Sequence, residues 1–105
     1  MADYLDNEGY PTDEYLKFIK DYTPEVMPIM SMVNIICDNW YYQDWGVKMG
    51  RKYKGTIKLE LHTAGWSGNE DIIHAILKNI YLTHFKMLYK KWITGGHYYF
   101  EIKLS

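Results

Sequence analysis

The segment Leu59-Glu-Leu-His-Thr-Ala-Gly-Trp-Ser-Gly-Asn-Glu-Asp71 decides how this chain is read. Its first residues finish an alternating run from Thr56 to Thr63. Ile57, Leu59 and Leu61 share one side of that run, and Lys58, Glu60 and His62 share the other. A period of two with one apolar side is the pattern of a half-buried strand. Ala64-Gly-Trp-Ser-Gly68 then reads as a loop. Ser67, followed three residues later by Glu70, has the form of a capping box, so a helix is expected to begin there.

Downstream, no Gly or Pro occurs from Asn69 to Thr94. Ile72, Ile73, Ile76, Leu77 and Ile80 define one helical face. Tyr81, Phe85, Leu88 and Trp92 lie about a quarter-turn away from it at 100° per residue. The pattern predicts a kink or break near Asn79–Thr83, followed by a second helical segment that Gly95-Gly96 stops as a C-terminal glycine cap. His97 to Leu104 alternates again. Tyr98, Phe100, Ile102 and Leu104 face one way, and His97, Tyr99, Glu101 and Lys103 the other, which predicts a second strand.

A helical hairpin between the two strands makes them antiparallel, whereas one unbroken helix makes them parallel in a right-handed crossover. The antiparallel arrangement is favoured. A register that pairs His62 with His97 also pairs Lys58 with Glu101 on one face. On the other it pairs Ile57 with Ile102, Leu59 with Phe100 and Leu61 with Tyr98. Opposite charges and matched apolar side chains are what cross-strand neighbours favour. The expected fold is a small α+β domain. Its two- or three-stranded sheet, with strands at about 56–63 and 97–104, is packed on one face by four or so helices.

Upstream, Thr12 reads as an N-cap with Asp13 and Glu14 in the first turn, where the helix dipole favours acids. Tyr15, Phe18, Ile19 and Tyr22 follow at helical spacing. Pro28 is expected near the first position of a core helix running to about Tyr42, because a proline inside a running helix removes a donor and clashes. Its methionines are read as core filling. Residues 46–55 form a loop or loose hairpin arm. Residues 1–105 make one domain, with 1–11 a flexible or loosely packed segment.

The 105 residues carry a net charge of −1, but it is unevenly divided. Residues 1–47 hold two Lys against nine Asp/Glu, and residues 48–105 hold ten Lys/Arg against four Asp/Glu. Such asymmetry marks a nucleic-acid or acidic partner, or else halves or copies that pack on each other. Eleven Tyr and four Trp suit half-buried sites and contact surfaces as well as a core. The lone Cys37 allows no internal disulfide and fits a reducing compartment. No signal peptide or apolar run of bilayer length is evident, so a soluble cytoplasmic protein without membrane contact is expected.

In the antiparallel arrangement His62, Trp66, Ser67, Asn69, Glu70 and His97 converge at one end of the sheet. This is a candidate ligand site, with free amides at the helix start able to hold an anion and a histidine pair able to move protons. Capping, turns and core plugging explain most of the same residues, so no catalytic residue is assigned and a non-enzymatic protein is favoured. No phosphate loop, dinucleotide fingerprint, nucleophile elbow or zinc-protease motif is present, and no metal or other cofactor is expected. Arg51, Lys52, Lys54, Lys58, Lys86, Lys90 and Lys91, interleaved with Tyr53 and Tyr89, are the candidate nucleic-acid residues. A solvated lysine face is the commoner explanation of such a set.

Leu61-His-Thr-Ala-Gly-Trp-Ser-Gly-Asn-Glu-Asp-Ile-Ile73, together with Gly95-Gly-His-Tyr-Tyr-Phe-Glu-Ile102, resembles a family of small bacteriophage and prophage proteins of uncharacterised activity. The resemblance covers roughly residues 55–103. The chain departs from the pattern at Lys90-Lys-Trp-Ile-Thr94, where the family is richer in Arg and Ser. Membership implies a phage product in the bacterial cytosol and no particular activity. The leading expectation is an accessory protein that binds another protein, such as a host or defence component, or itself. A small anionic ligand or nucleotide on the Gly65–Asn69 loop, and nucleic acid on the basic half, are the alternatives.

Overall fold

The computed structural model describes residues 4–104. In chain order they form α1 (Asp13–Lys20), α2 (Ile29–Asp38), the single turn α3 (Gln43–Gly46), β1 (Val47–Met49), β2 (Thr56–His62), α4 (Ser67–Lys78), a π-helical turn (Leu82–Lys86), β3 (Met87–Ile93) and β4 (His97–Lys103). The fold is α+β, with a four-stranded antiparallel sheet in the order β1-β2-β4-β3. The sheet therefore has four strands where two or three were expected. Because β4 lies between β2 and β3, those two strands run parallel on either side of it, in a split βαβ arrangement.

The central pair has the register that the side-chain pattern demands. Ile57 stands opposite Ile102, Lys58 opposite Glu101, Leu59 opposite Phe100, Leu61 opposite Tyr98 and His62 opposite His97. A slip of one residue would turn every apolar side chain to the wrong face, so burial fixes the register. Ile57, Leu59, Leu61, Met87, Phe100 and Ile102 join one core with Tyr15, Ile19, Met32, Val33, Ile36, Ile72, Ile73 and Ile76 of the helices. Among these, each Ile, Leu, Val, Met and Phe side chain contributes about 1.5–3 kcal/mol by leaving water.

The helices begin and end for local reasons. Thr12 Oγ1 accepts from the Tyr15 amide, as an N-cap should. Pro28 precedes the first residue of α2. That helix stops at Asp38 rather than near Tyr42, and the backbone turns through Tyr42 at φ 61° before α3. Helix α4 starts at Ser67 with Trp66 as the capping position and no side-chain cap, so Ser67 sits inside the helix instead of capping it.

The predicted break after α4 is present, and Asn79 builds it. Its Nδ2 donates to the carbonyls of Ile19 (2.9 Å) and Tyr22 (3.0 Å), and its Oδ1 accepts from the Leu82 amide (3.1 Å). One side chain thus ties the end of α1 to the end of α4. The segment beyond it corrects the sequence expectation, because residues 87–93 form β3 and not a second helix. Gly95 and Gly96, at φ +103° and +83°, close a β3–β4 hairpin instead of capping a helix. Both functions require a positive φ that glycine adopts without steric cost. The 46–55 arm supplies β1, which pairs Val47–Met49 with Leu61–Leu59.

Residues 4–11 fold back on themselves. Leu5 bridges Pro11, the Thr12 amide donates to the Tyr4 carbonyl at 3.0 Å, and the Tyr4 ring meets Tyr15 and Phe18. Of the flexible or loosely packed segment expected over residues 1–11, residues 1–3 lie outside the described residues.

Candidate functional site

The helices cover one face of the sheet, and the alternate residues of the strands make up the other. On that open face, Lys48 of β1 stands opposite Glu60 of β2, Lys58 of β2 opposite Glu101 of β4, and Lys91 of β3 opposite Tyr99 of β4. The β3–β4 register shifts at Lys90, which bulges out of the ladder. A groove of about 470 Å³ crosses this face between Lys58, Glu60, Tyr99, Glu101, Lys90 and Lys91. A second, of about 420 Å³, runs on through Lys58 and Glu101 to Arg51, Tyr53 and Thr56.

Aromatic rings line up on the same face. Trp45, from α3, packs on His62 with ring centroids 5.9 Å apart, and Tyr99 meets His62 edge-on at 6.1 Å. Lys91 Nζ sits 4.7 Å above the Tyr99 ring, a cation–π contact. Trp45 is 55% exposed and Tyr53 68% exposed. The two acids are set against lysines across the ladder, so Arg51, Lys90, Lys91 and Lys103 supply the face's excess positive charge.

His62 and His97 close one end of this surface. Their Nδ1 atoms are 2.6 Å apart, so one ring donates and the other accepts. Glu60 Oε1 is 3.3 Å from His62 Nε2 but out of line with the ring, which leaves that buried nitrogen without a hydrogen bond. Desolvation, and then the neighbouring His97, hold His62 below the ordinary histidine pKa, with Glu60 acting the other way. The Trp40 indole donates to the His62 carbonyl at 3.0 Å and anchors this end of β2.

The structure divides the six expected ligand residues. His62 and His97 meet on the open face. Trp66 stacks with Tyr41 (4.2 Å) and Tyr10 (4.6 Å) in a separate aromatic cluster. Ala64 and Gly65, at φ 56° and 72°, turn the chain away from the sheet to place it there. Asn69 is fully buried. Its Oδ1 accepts from the Tyr41 amide (3.0 Å), and its Nδ2 donates to the Tyr41 carbonyl (2.9 Å) and, more distantly, to that of Thr63 (3.4 Å). Thr63 Oγ1 donates to Glu70 Oε2 at 3.3 Å. Ser67 is exposed. Asn69, Thr63 and Glu70 hold the loop together.

Of the basic candidates, Arg51, Lys58, Lys90 and Lys91 line the two grooves. Lys52 and Lys54 are exposed on the β1–β2 loop, where Lys54 Nζ lies 5.4 Å from the Tyr53 ring, and Lys86 is half-buried on the π-helical turn. Sequence reasoning missed Tyr99 and Trp45. The alternation of β4 already placed Tyr99 on the side of His97, a usable signal. Nothing in the sequence linked Trp45 to His62.

Among the described residues, no cluster of three or more His, Cys, Asp or Glu is arranged to hold a metal ion, and no helix is long and apolar enough to cross a membrane. Compared with known protein families, curated proteins and solved structures, the chain finds no match.

Proposed function

We propose that this protein is a non-enzymatic binding module whose open sheet face takes single-stranded nucleic acid. The observation that carries the reading is the pair of grooves sharing Lys58 and Glu101, where Arg51, Lys58, Lys90 and Lys91 outnumber Glu60 and Glu101 and stand beside Tyr53 and Tyr99. Phosphates are held by such cations through counterion release. Bases stack on exposed rings without regard to sequence. A strand laid across the ladder would meet both kinds of group in turn. With the resemblance to small phage proteins, the same proposal places the module in the bacterial cytosol, acting on nucleic acid in an infected cell.

The test is fluorescence anisotropy of a labelled oligothymidylate at low salt, with a duplex of equal length for comparison. The single strand is expected to bind more tightly, and Lys58→Glu and Lys91→Glu to weaken it at least about tenfold each. Lys78→Glu, on α4 away from the face, should leave binding unchanged. Absence of binding at low salt, or an equal loss in Lys78→Glu, would overturn the reading.

A second reading, a protein partner, is favoured by the β3 side of the sheet. Phe85, Tyr89 and Trp92 are left exposed there. Large apolar side chains grouped on a surface mark contact sites more often than single ones do.

A further inference from the structure

The β3 side and the α1 side of the molecule carry complementary surfaces. On the first, Tyr89 and Trp92 are exposed, and Phe85 precedes them on the π-helical turn. Lys86 and Lys90 flank these rings in sequence. On the second, a groove of about 360 Å³ is lined by Phe18, Tyr22 and Val26, with Glu14 and Asp21 beside them. Val26 is 53% exposed, and Glu25 precedes it. Lys17 is the groove's only base, and it is already paired with Asp21 at 2.6 Å.

We infer that copies of this chain associate head to tail, the basic aromatic edge of one copy seating in the acidic apolar groove of the next. Two features select this occupant. The first is charge, which the chain divides between its halves so that unlike surfaces attract and like surfaces repel. The second is the geometry of the edge itself. Strand β3 spans Met87–Ile93 with Lys90 at its centre. Two edges paired about a twofold axis through the strand's centre would bring Lys90 against Lys90, and like charges directly opposite are destabilising. Lysines and a bulge on an edge strand are also the usual guards against such pairing. The contact this leaves is between different surfaces: one such contact per pair of copies extends into rings or open chains, whereas two made reciprocally about a twofold axis would close a dimer. The inference shares Lys90 with the nucleic-acid reading and otherwise uses the edge and α1 instead of the open face.

The test uses nucleic-acid-free protein in sedimentation velocity, from micromolar to near-millimolar concentration. Wild type is expected to grow in mass with concentration, and rising salt should reverse the growth. Trp92→Glu destroys the edge and Val26→Arg the groove. Both side chains are more than half exposed, and circular dichroism checks that each variant folds. Each variant alone is expected to remain a monomer at every concentration. An equimolar mixture retains one intact edge and one intact groove, so it should give a dimer and nothing larger. Wild type that stays monomeric or stops at a dimer, a single variant that still associates, or a mixture that stays monomeric would each overturn the inference.

Discussion

His62 and His97 face each other across the β2–β4 ladder with their Nδ1 atoms 2.6 Å apart, a gap that accommodates one proton and not two. Protonating both rings would place two imidazolium cations in contact on neighbouring strands. Desolvation by burial, and then this repulsion, hold His62 below the ordinary value of 6.5. A lowered folded-state pKa means that the unfolded chain takes up the proton first. Stability from this source is therefore fully present above about pH 6.5 and is lost as pH falls through the folded-state value. The urea midpoint is expected to fall between pH 7.5 and pH 5.5, above the main carboxylate range (roughly pH 4). His97→Gln should flatten that slope by removing the second charge. An unchanged slope in the variant would assign the pH dependence to the desolvation of His62 or to other groups, and not to the second imidazolium.

Gly96 sits at φ +83°, and a Cβ built there would collide with the Thr63 side chain. Gly95 has φ +103°, but its Cβ would meet only the movable ring of His97 at 3.3 Å. Both substitutions to alanine carry the strain of a positive φ, of order 1–3 kcal/mol. Gly96→Ala adds a clash that must displace Thr63, whose amide donates to the Gly96 carbonyl at 2.9 Å. Chemical denaturation is expected to rank Gly96→Ala clearly below Gly95→Ala, and both below wild type. Equal losses would show that Thr63 yields freely.

The hairpin that these glycines close was the least legible part of the sequence. Gly95-Gly96 ends a helix as well as it turns a hairpin, because both need positive φ. Tyr81, Phe85, Leu88 and Trp92 repeat at spacings of three and four, which reads as helix. In the structure the repeat spans a π-helical turn and an edge strand, whose alternation the Lys90 bulge interrupts and whose far half is exposed. The central strands were legible because each has one face fully buried, so Ile57, Leu59, Leu61, Phe100 and Ile102 had to alternate. Their antiparallel register followed from charge and apolar matching, although the chain returns through a strand and not the expected helix. The histidine pair emerged from that register. Trp66 did not join it, because the left-handed Ala64-Gly65 turn is invisible in composition alone.

Asn79 satisfies two carbonyls of the α1 end and one amide of the π-helical turn from a buried position. Asn79→Ala leaves these groups short of partners where water does not replace them readily. The expected loss is about 2–4 kcal/mol by denaturant titration, since each buried unsatisfied group costs about 1–3 kcal/mol. Asn79→Asp keeps the acceptor for Leu82 but points a carboxylate at two carbonyl oxygens. It should be at least as damaging at neutral pH, and partly relieved when the acid is protonated. A harmless Asn79→Ala would mean that α1 and α4 are held by their apolar faces alone.

Cys37 lies in α2 among core residues, and burial, helped by Asp38, pushes its thiol up to about 12. The thiolate is the reactive form, so the folded protein should be nearly inert to a disulfide reagent at neutral pH. Labelling is expected to follow global unfolding and to accelerate in urea in step with the loss of circular dichroism. Rapid labelling of the native protein would show that α2 opens locally from the core.

Lys91 and Tyr99 touch on the open face, and if that face takes nucleic acid as proposed, each should contribute a distinguishable part of the affinity. A lysine that neutralises one phosphate releases roughly one counterion, which appears as about one unit in the slope of log affinity against log salt. Lys91→Ala is therefore expected to lower both affinity and slope. Tyr99→Ala removes a stacking ring worth about 1–3 kcal/mol per base while leaving the charge in place. It should lower affinity with the slope unchanged. The double variant then tests their coupling: Lys91 holds its ammonium over the ring, so losing Tyr99 also frees the lysine, and the two losses should sum to more than the double loss. Strict additivity would mean that the cation–π contact does not persist when the strand is bound.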